Sequence, residues 1–144
     1  MKSNENLVKL IKQQIEIENE HVKHITELEK TVDSAAARLL LLEMKFDSQK
    51  HAGILEGILQ VLAGIPPSKT MWEYRVESYV DQLTVRKALE AHVKMETDVL
   101  NHVHEEIRQT DDEGIKLLLQ NIAEDEKKHH KILEIIVKNA YKIK

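Results

Sequence analysis

The strongest constraint on the fold is an internal repeat, because the second half of this 144-residue chain matches the first at a constant shift of 78 residues. The match needs no gap and includes charged positions as well as apolar ones. Chance matches between amphipathic helices hardly extend to a set of this kind, so we interpret the repeat as an internal duplication. Matched pairs include Glu18 with Glu96, His24 with His102, Asp33 with Asp111, Asp47 with Asp125, and Lys50-His51 with Lys128-His129.

Four long helices are predicted by the scarcity of turn residues and by the apolar period. The chain has only four glycines and two prolines, which is too few for an all-β chain with many turns. Apolar residues recur alternately every three and four positions, as on one face of a helix. The predicted helices span about residues 4–31, 34–63, 82–109 and 112–143.

The predicted helix ends have local causes. Asp33-Ser34 and Asp111-Asp112 supply side chains that accept hydrogen bonds from the first free amides of helices two and four. Gly64, followed by Pro66-Pro67, ends helix two. Helices one and two, and helices three and four, are therefore expected to form two antiparallel hairpins with very short turns.

The segment 64–81 is predicted to be a long crossover between the hairpins. If helix three began directly after Pro67, Glu96 would lie about 44 Å along it and out of level with Ser48. A crossover of this length reaches at most about 60 Å when extended, which is enough to cross a bundle. Its apolar residues would hold it to the surface, with a short helix as one option; they are Trp72, Tyr74, Val76, Tyr79 and Val80. The expected fold is thus an all-α four-helix bundle in a single domain, residues 1–144.

Composition narrows the range of functions. The absence of cysteine excludes disulfides, thiolate nucleophiles, iron–sulfur clusters and cysteine-ligated zinc. The net charge of −4 gives no reason to expect a nucleic-acid partner. No signal-peptide core and no run of membrane-spanning length is present, so we expect a cytoplasmic protein without membrane contact.

Polar side chains interrupt all four apolar seams at one level of the expected bundle. Helix one offers Gln14, Glu18 and His21, helix two Ser48 and His51, helix three His92 and Glu96, and helix four Glu126 and His129. Buried carboxylates are nearly always paired or bound to a metal. In Glu126-Lys127-Lys128-His129 the i, i+3 spacing directs a carboxylate and an imidazole to one side of the helix. The layer therefore predicts a metal site in the core.

These residues resemble the ferritin-like superfamily, and within it the rubrerythrin-type di-iron carboxylate bundles. That family has one Glu from each of two helices and a Glu-x-x-His motif from each of the other two. Glu18 and Glu96 match the single glutamates, and Glu126 with His129 matches one complete motif. His51 matches the histidine of the other motif, but Ser48 stands where the family has a ligating glutamate. Asp47, next to it, points about 100° away around the helix.

The resemblance implies a metal site formed by Glu18, His51, Glu96, Glu126 and His129. His21 and His92 are two additional imidazoles on the inward face, as ligands of a rearranged site or as hydrogen-bond donors to the carboxylates. The implied metal is iron, as one or two ions, and the histidines also suit zinc or another divalent metal. A rubrerythrin-like peroxidase or ferroxidase would need an external electron donor, since the chain lacks the cysteines of a rubredoxin module. The remaining histidines, His24, His102, His104 and His130, are predicted to lie at the surface.

A second hypothesis remains open. Ser48 favours a non-catalytic helical bundle that interacts with a partner and whose metal site has degenerated into a buried polar network. Exposed aromatic residues of the crossover, together with Leu40 and Ile54, favour a homodimer under either hypothesis. The spacing of His92 and Glu96 also occurs in hemerythrin-like oxygen carriers, but the repeat matches the ferritin-like layout instead.

Overall fold

Four helices account for most of the structure, a computed structural model that describes residues 4–76 and 81–140. They are α1 (Glu5–Glu29), α2 (Ala35–Gly64), α3 (Gln82–Arg108) and α4 (Glu113–Ala140). No strand is present in these two ranges, and the predicted all-α fold is confirmed. Outside the described residues lie the predicted end of helix four at residue 143 and two crossover residues, Tyr79 and Val80.

The helices pack in pairs. The chain divides into two compact units, Met1–Met71 and Trp72–Lys144, and α1 packs against α2 in the first while α3 packs against α4 in the second. In the first unit, Lys45 contacts Glu29 near the turn and His51 contacts Glu18 further along, so α1 and α2 are antiparallel. Both predicted hairpins therefore form. The single domain remains a prediction.

The second helix of each hairpin starts at equivalent positions of the repeat. The hydroxyl oxygen of Ser34 accepts a hydrogen bond from the amide of Ala37 at 3.3 Å. Oδ1 of Asp112 accepts from the amides of Gly114 and Ile115 at 2.9 and 3.1 Å. These side chains satisfy amides that have no partner within the helix. They fix where α2 and α4 begin, and with that the level of every later residue.

The segment after α2 is irregular. The helix ends at Gly64, and Ile65 turns to an extended conformation while its amide still donates to the carbonyl of Val61 at 2.8 Å. Residues 65–76 contain turns and no helix. Trp72 is 45 % exposed and Val76 is 75 % exposed. The option of a short helix is therefore not realised in the described part of the crossover.

Small apolar cores run along the seam of each hairpin. The buried apolar side chains are Ile11, Ile25 and Ala52 in the first and Val103, Ala123 and Leu133 in the second. Among the described residues only two polar side chains are equally buried, Glu18 and Ser48. Because Glu18 lies between Ile11 and Ile25 on α1, the helix packing that buries the core also carries polar groups into the seam.

Candidate metal centre

Two groups of four side chains occupy equivalent places in the two hairpins. We call the group in the first hairpin the first quartet and its equivalent, 78 residues later, the second quartet. The first quartet is Gln14, Glu18, Ser48 and His51, and the second quartet is His92, Glu96, Glu126 and His129. Each takes an i, i+4 pair from one helix and an i, i+3 pair from the other, and these spacings place side chains on the same helix face.

Three members of the second quartet converge. Nδ1 of His129 lies 3.6 Å from Oε2 of Glu96 and 3.6 Å from Oε1 of Glu126. One ligand atom from each of the three residues lies within 4.8 Å of the others, an arrangement able to hold a metal ion. Within residues 4–76 and 81–140, these three form the one group of at least three histidine, aspartate or glutamate side chains whose ligand atoms converge in this way.

Burial makes the same three residues suitable for a cation. The side chains of Glu96 and Glu126 are only 15 % and 14 % exposed, and Oε2 of Glu126 is buried without a hydrogen-bond partner among the described residues. A buried carboxylate oxygen without a partner loses its hydration without compensation. A divalent cation would supply that compensation, so the residues present fit a metal.

His92 interacts with the carboxylate of Glu96 from the other side. Its Nε2 lies 3.0 Å from Oε1 of Glu96, whereas His129 faces Oε2. His92 is not among the three residues whose ligand atoms converge. This contact restricts the orientation of the Glu96 carboxylate.

The first quartet has the same backbone arrangement but different chemistry. Nε2 of Gln14 donates to Oε1 of Glu18 at 2.9 Å, where the second quartet has His92. Nδ1 of His51 lies 3.6 Å from Oε2 of Glu18, an oxygen that is buried without a hydrogen-bond partner. Ser48 is buried at the position equivalent to Glu126. Two ligand atoms face each other here instead of three.

The chain matches the Rubrerythrin family model over residues 9–136. It belongs to the rubrerythrin family. No curated protein and no solved structure matches it. The family match covers both hairpins and both quartets, and it supports a ferritin-like metal-binding protein. Among the helices of the described residues, none is long and apolar enough to cross a membrane.

Glu18 of this rubrerythrin-family chain is held in its ionised form by its neighbours. Burial alone would raise the pKa of its carboxyl group, but hydrogen bonding by Gln14 and Ser48 lowers it, and the nearby His51 and His21 lower it further. The net pKa lies below the usual value of a glutamate. Neutral donors and imidazoles thus stabilise the carboxylate that the first quartet buries.

The ligands predicted from the rubrerythrin pattern fall into two sets. Glu96, Glu126 and His129 meet in the second hairpin. Glu18 and His51 face each other in the first, at 3.6 Å. The two additional imidazoles have different surroundings. His92 lies within hydrogen-bond distance of Glu96, whereas His21 lines a groove beside Ser48.

Sequence reasoning missed two contacts. Gln14 lies on the predicted apolar seam, where the sequence pattern gives it no role. The repeat pairs it with His92, and this pairing was the available signal for its contact with Glu18. His130 is half-buried rather than at the surface, because its Nε2 lies 2.9 Å from the hydroxyl of Thr97. No motif marks that pair, which depends on how α3 packs against α4. His104 is also half-buried.

Proposed function

We propose that this rubrerythrin-family protein binds a divalent metal ion through Glu96, Glu126 and His129. The observation that carries the proposal is the convergence of three ligand atoms within 4.8 Å in the second hairpin. The orphaned Oε2 of Glu126 supports it, because a cation would satisfy a buried oxygen that the protein leaves without a partner.

Iron is the metal that we propose, with zinc as its main competitor. Two carboxylates suit hard cations, and one imidazole suits iron, zinc, copper and nickel. Three protein ligands leave coordination positions for water or an oxidant, as in catalytic metal sites. Bound iron would supply redox chemistry toward peroxide or oxygen. The chain has no cysteine, so electrons would come from a separate donor protein or small reductant.

The residues of the second quartet would have separate roles in that site. Glu126 and Glu96 would neutralise the cation, and His129, whose side chain is 49 % exposed, would complete the ligand set on the side open to solvent. His92 would hold Oε1 of Glu96 so that Oε2 stays directed toward His129. We also propose the homodimer and the cytoplasmic location that the sequence predicts.

A non-catalytic helical bundle is the second candidate function. The observation that favours it is the first quartet, where hydrogen bonds from Gln14 and Ser48 stabilise the ionised carboxylate of Glu18. If the second quartet were satisfied in a similar way by hydrogen bonds from a partner, its polar layer would serve folding or partner specificity. Metal content distinguishes this candidate from the first.

The test is metal content per chain, measured by elemental analysis on tag-free protein after loading with Fe²⁺ without oxygen or with Zn²⁺. Glu126→Ala/His129→Ala removes two of the three ligands and should abolish binding. Its matched control is Glu124→Ala/Lys127→Ala, which removes an exposed i, i+3 pair from the same helix, joined at 3.1 Å. The control should bind as the wild type does. No metal above background in the wild type would contradict the proposal and favour the non-catalytic bundle.

A further inference from the structure

We infer that the protein holds one metal ion per chain, in the second quartet, and that Ser48 is the residue that keeps the first quartet from holding an ion of its own. This inference rests on the proposed function, because it specifies the capacity of the same kind of site. It concerns the departures of this chain from its own repeat.

The two quartets bring together different numbers of ligand atoms. The second quartet brings together two carboxylate oxygens and one imidazole nitrogen. The first quartet brings together one of each, Oε2 of Glu18 and Nδ1 of His51, at 3.6 Å. Three protein ligands are the usual minimum for a catalytic zinc-type site. The serine hydroxyl keeps its proton at neutral pH, and Gln14 directs toward Glu18 its amide nitrogen, which is a donor only. Neither replaces the missing ligand.

The two quartets otherwise have matching geometry. Gln14 lies 2.9 Å from Oε1 of Glu18, and His92 lies 3.0 Å from Oε1 of Glu96. The histidines His51 and His129 both lie 3.6 Å from the Oε2 atom of the glutamate on the facing helix. The position of Ser48 and Glu126 is therefore where the two sets of ligand atoms differ. Restoring one carboxylate there should be sufficient to create a second site.

The first hairpin has room for the longer side chain. A groove of about 380 Å³ opens beside Ser48 and is also lined by His21, His24, Ile25, Met44 and Asp47. Oε2 of Glu18 is buried and has no hydrogen bond from the described residues, so one of its lone pairs remains available to a cation. A glutamate at position 48 would thus border open space, while Oε2 of Glu18 and Nδ1 of His51 already face each other at 3.6 Å.

Without metal, the same substitution should be unfavourable. A second carboxylate close to Glu18 brings two like charges into a partly buried seam, and like charges disfavour each other's ionised form. We therefore expect Ser48→Glu to lower the melting temperature of the metal-free protein and to make it rise more steeply on adding metal. The matched control is Ser48→Gln, because glutamine is nearly the same size as glutamate and carries no charge.

The experiment is Zn²⁺ titration of the full chain by calorimetry, with elemental analysis after gel filtration. Zinc is chosen because it has no redox chemistry. We expect one equivalent in the wild type, two in Ser48→Glu and one in Ser48→Gln. Glu126→Ala/His129→Ala should bind none, and adding Ser48→Glu to that variant should restore one equivalent, now in the first hairpin.

The outcomes separate this inference from the proposed function. Two equivalents in the wild type overturn the inference and leave the proposed function standing, whereas none overturns both. One equivalent in both the wild type and Ser48→Glu overturns the role of Ser48. If Ser48→Glu loses its helical circular dichroism, the Glu126→Ala/His129→Ala variant still decides, because an equivalent that it retains would show that the first quartet binds metal by itself.

Discussion

The two hairpins have the same layout and differ in the number of carboxylates in their polar layers. In the first, Glu18 is paired with a neutral amide from Gln14 and lies beside Ser48, and both Glu18 and Ser48 are buried. In the second, Glu96 and Glu126 face each other with His129 and leave a buried oxygen without a partner. The second hairpin has the carboxylate of Glu126 where the first has the hydroxyl of Ser48, so three ligand atoms converge in the second and two face each other in the first.

This difference shows which part of the polar layer the fold requires. Both hairpins form with equivalent caps at Ser34 and Asp112, so the same helix pairing accommodates two different sets of polar side chains. Replacing a charge pair by neutral partners is often compatible with stability, whereas leaving a buried charge unpaired is costly. The repeat thus tolerates either chemistry, and function resides in a few side chains on a common scaffold.

The largest expected effect is that metal loading protects only the second hairpin. A ligand that binds only the folded form adds about 2.7 kcal/mol at a free concentration one hundred times its dissociation constant. We expect amide hydrogen exchange to slow in α3 and α4 on loading with Zn²⁺, with little change in α1 and α2, and a chelator to reverse it.

Equal slowing in all four helices would break this contrast, because it would mean that the hairpins open as one cooperative unit. Glu126→Ala/His129→Ala should show no response to Zn²⁺ in any helix. Glu124→Ala/Lys127→Ala should respond as the wild type does.

A smaller effect is expected from exchanging the orienting residues of the two quartets. His92→Gln gives Glu96 the donor that Gln14 gives Glu18, so it should retain most of the metal affinity. His92→Leu removes the donor and should weaken binding about tenfold, as is typical for a residue that orients a ligand. Both affinities can be measured by competition with a chromophoric chelator.

If His92→Gln weakens binding as much as His92→Leu does, the imidazole itself is a ligand and the orienting role is wrong. The reciprocal change, Gln14→His, should leave the stoichiometry at one, because it supplies an imidazole and no carboxylate.

The smallest effect concerns how the first helix of each hairpin begins. The carboxylate of Asp81 accepts hydrogen bonds from the amide and the hydroxyl of Thr84, at 3.0 and 2.7 Å, whereas Asn4 at the start of α1 makes no capping bond with its side chain. Asp81→Ala should therefore lower the free energy of unfolding slightly, and Asn4→Ala should leave it unchanged.

The effect of Asp81 should depend on pH. The hydrogen bonds from Thr84 lower the pKa of Asp81 in the folded state, so its stabilisation is complete above the ordinary pKa of aspartate and disappears as the pH falls through the folded-state pKa. Urea unfolding at neutral and at acidic pH should show the difference between wild type and Asp81→Ala shrinking in acid. A difference that grows in acid would contradict this assignment.

The sequence was sufficient for the helices and for the positions along them at which polar side chains interrupt the apolar seams. Caps at Ser34 and Asp112 and the end at Gly64 are local signals, and they place the predicted helices close to those of the structure. Periodicity together with the repeat then places Glu96, Glu126 and His129 at one level, because residue positions along a regular helix follow from counting.

The contacts within the candidate site depend on side-chain directions, which cannot be obtained by counting residues along a helix. The pattern predicted that Glu18 and His51 join the metal ligands, and it does not reveal that Gln14 takes one oxygen of Glu18. It does not show which oxygen of Glu96 faces His92 and which faces His129, since that is set by rotamers. The half-buried position of His130 depends in the same way on Thr97 of the neighbouring helix.

Because of the constant shift of 78 residues, side chains can be exchanged between equivalent positions of the two hairpins in protein engineering. Each position of one hairpin has an equivalent in the other, after a turn of equivalent placement and opposite an equivalent helix. Transplanting residues between the halves is therefore a way to vary the number and identity of bound ions while the scaffold stays as it is.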